Sequence, residues 1–128
     1  MDQNIATRFA RAWVDAWNAH DLDAVLTHFA DDAVFSSPVA AQVVPESAGV
    51  LRGKGSLRAY WSAALARIPD LHFEVLGVYT GIDTVVLNYR NHAGGLVCEV
   101  LRFDGNLVVE GAGTYLSDDA AGASGVRP

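Results

Sequence analysis

The chain is poor in the groups that most often give chemistry away. It has one cysteine, Cys98, so an intrachain disulfide is impossible and no cysteine-based metal site is suggested. Four histidines, His20, His28, His72 and His92, are scattered, and no two hold the i, i+4 spacing of a helix-borne metal pair. Positive charge is scarce as well: 9 Lys and Arg against 15 Asp and Glu leave a formal net charge of −6. With no basic cluster to offset it, nucleic acid is excluded as a partner, because Lys and Arg must neutralise its phosphates. No apolar run approaches the roughly 20 residues that span a bilayer. The first residues, MDQNIATRFARAW, are broken by charges and do not read as a signal peptide. A reducing, cytoplasmic setting is the expectation. There is no G-x-G-x-x-G motif and no P-loop, and neither a cofactor nor a metal is expected.

What is present is apolar mass and two periodicities. Hydrophobic residues make up 51% of 128, enough for one core and a lined cavity in one domain. Ile5, Phe9, Trp13, Ala16 and Trp17 recur at three-four spacing and predict an amphipathic helix, which Asn18-Ala19-His20-Asp21 breaks. Asp21 can cap a second helix with Leu22, Val25, Leu26 and Phe29 on its stripe. Asp31-Asp32 reads as a turn and cap rather than a pair of acids, and Ala33 to Ser37 as a short strand stopped by Pro38. Residues 38–54 show neither period and read as a long apolar loop, over either the core or a pocket mouth. Leu57, Tyr60, Trp61, Ala64, Leu65 and Ile68 predict a third helix, capped by Ser56 and ended by Pro69.

From Leu71 the period becomes two. Strands are expected at about 71–80, 84–91, 96–103 and 107–116, joined by short glycine-bearing turns into an antiparallel meander. Residues 117–128, small and polar, read as a disordered tail behind a single domain at 1–116. A sheet of this length with three amphipathic helices should curl, take the helices on one face and enclose a cavity.

With these elements in place, HDLDAVLTHFADDAVFSSPV and, later, CEVLRFDGNLVVEG resemble the SnoaL-like and ketosteroid-isomerase-like branch of the nuclear transport factor 2-like superfamily. The resemblance covers roughly residues 5–116. It implies an α+β fold in which a cone-shaped, curved antiparallel sheet wraps around three N-terminal-half helices, a cystatin-like α+β barrel. It also implies a homodimer paired through the outer sheet face. In ketosteroid isomerases the strand before the proline ends in an aspartate that acts as base; Ser37 stands at that position, without a suitable pKa. A tyrosine of the first helix there donates to the oxyanion; the matching residue is Trp13, which has only its indole N–H. The second donor, a buried protonated aspartate, is matched by Glu99.

Glu99 lies in Leu96-Val97-Cys98-Glu99-Val100-Leu101, where both faces are apolar. Alternation puts Val97, Glu99, Leu101 and Phe103 on one side. Across the turn near 93–95, Asn88 or Arg90 is expected opposite or diagonal to Glu99. A three-residue turn before the last strand would set Glu99 opposite Gly111, with Val109, Gly113 and Tyr115 on the same face and ligand room left by the two glycines. Trp13, Trp17, Phe35, Tyr60 and Trp61 are candidates for an aromatic pocket wall, or for ordinary core packing. Tyr60 and Tyr115 carry hydroxyls that can orient a carbonyl group. Three readings stay open: an enzyme without cofactor acting on an apolar or polycyclic ligand through Glu99, a non-catalytic binding module for a small apolar or aromatic ligand, and a dimeric assembly module.

Overall fold

A computed structural model describes residues 1–117; the expected tail falls, from residue 118 on, outside the described residues. The element order is α1 (Gln3–Asn18), α2 (Leu22–Leu26), β1 (Phe29–Ser36), α3 (Pro38–Val43), a 3-10 turn at Pro45–Ser47, β2 (Val50–Arg52), α4 (Lys54–Arg67), β3 (Glu74–Thr80), β4 (Thr84–Arg90), β5 (Leu96–Asp104) and β6 (Leu107–Tyr115). The six strands form one curved, unclosed sheet in the order β2-β1-β6-β5-β4-β3. Every neighbouring pair is antiparallel except β1 with β6, which run parallel. The α+β class is as expected, with a fourth helix and a sixth strand added.

Helix α1 starts where Asp2 accepts the N–H groups of Asn4 and Ile5 and so satisfies two orphan donors. It buries Ala6, Phe9, Ala10, Trp13, Ala16 and Trp17, whereas Ile5 is half exposed. His20 then takes a left-handed backbone (φ 58°), and its Nε2 donates to the Leu71 carbonyl at 2.8 Å. Asn18 exchanges two hydrogen bonds with the Phe73 backbone, at 3.0 and 2.8 Å. Those contacts pin the lead into β3 against the end of α1 and fix Phe73 beside Trp17. As expected, Asp21 caps α2, accepting the Ala24 N–H.

Three local expectations are corrected. Strand β1 begins at Phe29, not Ala33: a register shift between Phe29 and Val34 lets exposed Asp31 and Asp32 bulge outward while Phe29 turns into the core. The supposed loop at 38–54 is mostly structured. Ser37 caps α3, Pro38 opens it with a φ already suited to a helix, and β2 pairs with β1. Helix α4 starts two residues before Ser56, after Gly53, whose φ of 88° suits glycine.

The outer sheet face carries one row across all six strands: Val50, Ser36, Ala112, Val100, Val86 and Tyr79 are successive register partners. Its flank holds the Arg102–Glu110 ion pair at 3.7 Å. No helix among the described residues is long and apolar enough to cross a membrane.

Candidate functional site

The inner face of the sheet, α4 and the end of α1 enclose a cavity of about 70 Å³. Since one water needs about 10–15 Å³ measured this way, it has room for roughly five. Trp17, Phe35, Ser37, Tyr60, Trp61, Phe73, Tyr89, Asn91, His92, Glu99 and Tyr115 are in its wall. A more open hollow of about 540 Å³ between α1 and the β5–β6 turn has His28 as its titratable neutral group, its pKa lowered by burial. The smaller cavity is the stronger candidate, because it holds a buried carboxyl group.

Alternation along β5 carries Glu99 inward, where it is 6% exposed. The Tyr89 hydroxyl donates to its Oε1 at 3.1 Å, the only hydrogen bond of this carboxyl group among the described residues. Burial raises the Glu99 pKa to about 7, against a smaller lowering from the Tyr89 hydrogen bond. Among the described residues, no Lys or Arg lies in the cavity wall to hold the charge. The carboxyl group therefore exchanges its proton near neutrality, which suits a general acid or base. Tyr89→Phe should push its midpoint higher still, as read by carbon-13 titration of the carboxyl group; a midpoint that falls or stays put would mean the phenol does not favour the charged form.

Tyr60 and Tyr115 stand beside Glu99 and Ser37. Burial raises the pKa of both, Tyr115 to about 12, and the neighbouring Ser37 side chain acts in the opposite direction on each. Both stay protonated across the physiological range. Ser37 Oγ itself accepts the Val39 N–H at 3.1 Å, so the serine is a helix cap as well as a wall residue. The parallel β1–β6 pairing brings it there: Phe35 pairs with Gly111, and a Cβ on Gly113 would sit 3.4 Å from Ser37 Oγ.

The register corrects the rest of the expected cluster. Arg90 pairs with Leu96 across a five-residue loop, so Asn88 lies opposite Cys98 and both Asn88 and Arg90 fall on the outer face. Asn88 donates to Cys98 Sγ there, and Arg90 lies 3.9 Å from Glu74. Leu87 and Tyr89 take the inner positions instead. On the other side, a Gly105-Asn106 turn that pairs Phe103 with Val108 turns Val108, not Val109, inward, and the bulge between Arg102 and Phe103 adds one more step, so Glu99 lies opposite Gly113 rather than Gly111. Gly111 leaves no ligand room: a Cβ there would meet Phe35 at 2.8 Å and Leu101 at 3.0 Å. Leu101 and Gly111 are thus packing partners under Phe35. Trp13 is fully buried behind the wall, stacked on Phe73 at 5.7 Å and 17°.

Sequence reasoning missed Tyr89, Phe73, Asn91 and His92. Tyr89 was legible, since Val85, Leu87 and Tyr89 make the more apolar alternate set of β4. Asn91 braces the loop, its Oδ1 accepting the N–H groups of Ala93 and Gly95, which holds His92 at the wall.

With this geometry in place, comparison supplies the class. The SnoaL-like domain pattern matches residues 10–116, and the chain belongs to that family. It is similar to a SnoaL-like protein of unknown function from Burkholderia thailandensis, with 46% identity, a TM-score of 0.86, and 91% of this chain and 98% of that one covered. It shares its fold with AclR, a proposed hydroxylase from Streptomyces galilaeus (21% identity, TM-score 0.70, 90% and 91% covered). The same holds for a proposed polyketide cyclase from Sinorhizobium meliloti (16% identity, TM-score 0.68, 80% and 90% covered). No curated protein shows significant similarity to the chain.

Proposed function

We propose that the protein is a small-molecule pocket enzyme without cofactor, an isomerase, cyclase or hydrolase in which Glu99 moves the proton. One observation carries this reading: Glu99 is a buried carboxyl group in a cavity wall with no cation beside it among the described residues, exchanging its proton near neutrality. Tyr60 and Tyr115, protonated and adjacent, are the groups that would hold a ligand oxygen as charge develops on it. At about 70 Å³ the cavity accepts a compact group; a polycyclic ligand requires the walls to part.

The test uses cyclopentanone in heavy water at pH 7. Hydrogen–deuterium exchange next to the carbonyl should run at least about tenfold faster with the wild type than with Glu99→Gln. Equal rates for the two proteins with the ketone bound would favour the non-catalytic binding module.

The apolar row on the outer sheet face supports a second reading, a homodimer joined there. Val100 and Val50, at 37% exposure each, and Tyr79, at 59%, are large apolar groups left open to water in a row flanked by the Arg102–Glu110 and Arg90–Glu74 pairs. Light scattering at micromolar concentration should give a dimer for the wild type and a monomer for Val100→Asp. A monomeric wild type would remove this reading.

A further inference from the structure

The polar groups of the cavity wall sort unevenly. Glu99 offers a carboxyl group whose only hydrogen bond among the described residues is on Oε1. The hydroxyls of Tyr60, Tyr115 and Ser37 lie around it, and each can accept a hydrogen bond. The ring nitrogens Trp17 Nε1 and His92 Nδ1 are sealed in the packing with no partner among the described residues, so they are not presented to the space. Glu99 is the only carboxyl group in the wall, and among the described residues neither Lys nor Arg lines it.

The rings tell the same way. Trp17 meets Trp61 at 81° and Phe73 at 54°, and Phe73 meets Tyr89 at 41°. A slot for a flat molecule needs near-parallel walls; mutually tilted rings form a cup, suited to a compact, rounded group. Ring faces attract cations, and more strongly where water is excluded. The chain's net charge of −6 raises the local concentration of cations.

We propose that this cavity receives a small ammonium group, the cationic head of a ligand bearing a basic amine, with the Glu99 carboxylate as counter-ion and the tilted rings as its cage. The inference rests on the reading that the cavity is a ligand site, and it names the ligand class. An ammonium ion selects the ionised carboxyl group, so binding below neutral pH releases the Glu99 proton to solvent and makes or breaks no other covalent bond. The titratable groups facing Glu99 are Tyr89 from β4, Tyr60 from α4, Tyr115 from β6 and, in the same wall, His92 from the β4–β5 loop. The tyrosines keep their protons throughout. Protonation of Glu99 removes the counter-ion, so acid weakens binding.

The experiment compares tert-butylammonium chloride with tert-butanol, its neutral isostere, on the full chain. Binding is followed by the carbon-13 shift of the Glu99 carboxyl group and the indole N–H shifts. At pH 8 the ammonium ion should bind at least tenfold more tightly than the alcohol. That preference should shrink toward unity at pH 5 in the wild type, and at pH 8 in Glu99→Gln. Equal or tighter binding of the alcohol at pH 8 overturns the inference and leaves the acid–base reading standing. Failure of both probes to bind also overturns it, and the acid–base reading is then decided separately by the ketone exchange experiment.

Discussion

Glu99→Gln should be more stable than the wild type by about 3 kcal/mol at pH 8 and little different at pH 4.5. The folded carboxyl group titrates near 7 and the unfolded one near 4.5. Between those values the folded chain holds a proton that the unfolded chain has lost. Stability therefore falls as pH rises through the window. Below about 4.5 both states are protonated and the burial costs little; above about 7 both are ionised and the full penalty stands. Glutamine keeps the shape, leaves an oxygen for the Tyr89 hydroxyl and never ionises, so it removes the fall. Urea denaturation of both proteins from pH 4.5 to 8 checks this. Parallel stability curves would show that Glu99 is not desolvated. A stabilising change at a wall residue is also what a functional strain predicts, since catalytic groups are commonly held at some expense to the fold.

Trp13→Ala should cost about 4 kcal/mol, among the largest effects of any single change in this chain. Trp13 is fully buried, stacked on Phe73 and tilted against Tyr89 at 5.2 Å. Truncation would leave a cavity directly behind the Glu99 partner. Trp13→Phe should cost under about 2 kcal/mol, because the indole N–H has no hydrogen-bond partner among the described residues and losing it offsets part of the lost area. The pair of variants also decides a role. By resemblance Trp13 occupies the place of an oxyanion donor, yet its nitrogen is sealed behind the wall. Trp13→Phe should therefore leave the affinity for cyclopentanone or tert-butylammonium unchanged; a loss of tenfold or more would return the indole to the site.

Much of the architecture was legible because it rests on periodicity. The apolar face of α1 through Trp17, the stripe of α4 and the alternation of β5 around Glu99 each follow from side-chain spacing alone. What was not legible depends on register. A β-strand reverses its faces with a one-residue slip, so misreading the Asn91–Gly95 loop moved Asn88 and Arg90 inward and Tyr89 outward. Two single steps, one in the Gly105-Asn106 turn and one in the bulge at Arg102 and Phe103, added up to exchange Gly111 for Gly113 opposite Glu99. Helix α3 went unseen because six residues are too few for a period, although Ser37-Pro38 carried a cap-and-first-turn signal. The carboxyl group was found from its apolar neighbours; its partner was missed by one position of pairing.

The parallel contact between β1 and β6 has a consequence for how the protein comes into being. The strand that completes the sheet beside β1 is the last in sequence among the described elements, so it is made after all the others. Until then Phe35 lacks its seat over Gly111, and Ser37 has no β6 beside it. Pairings so distant in sequence close slowly. A chain truncated before Leu107 would keep every helix yet expose the apolar side of β1 and β5. Such a fragment should depend on chaperones and aggregate in their absence, so the arrival of β6 governs whether the partly made domain stays soluble.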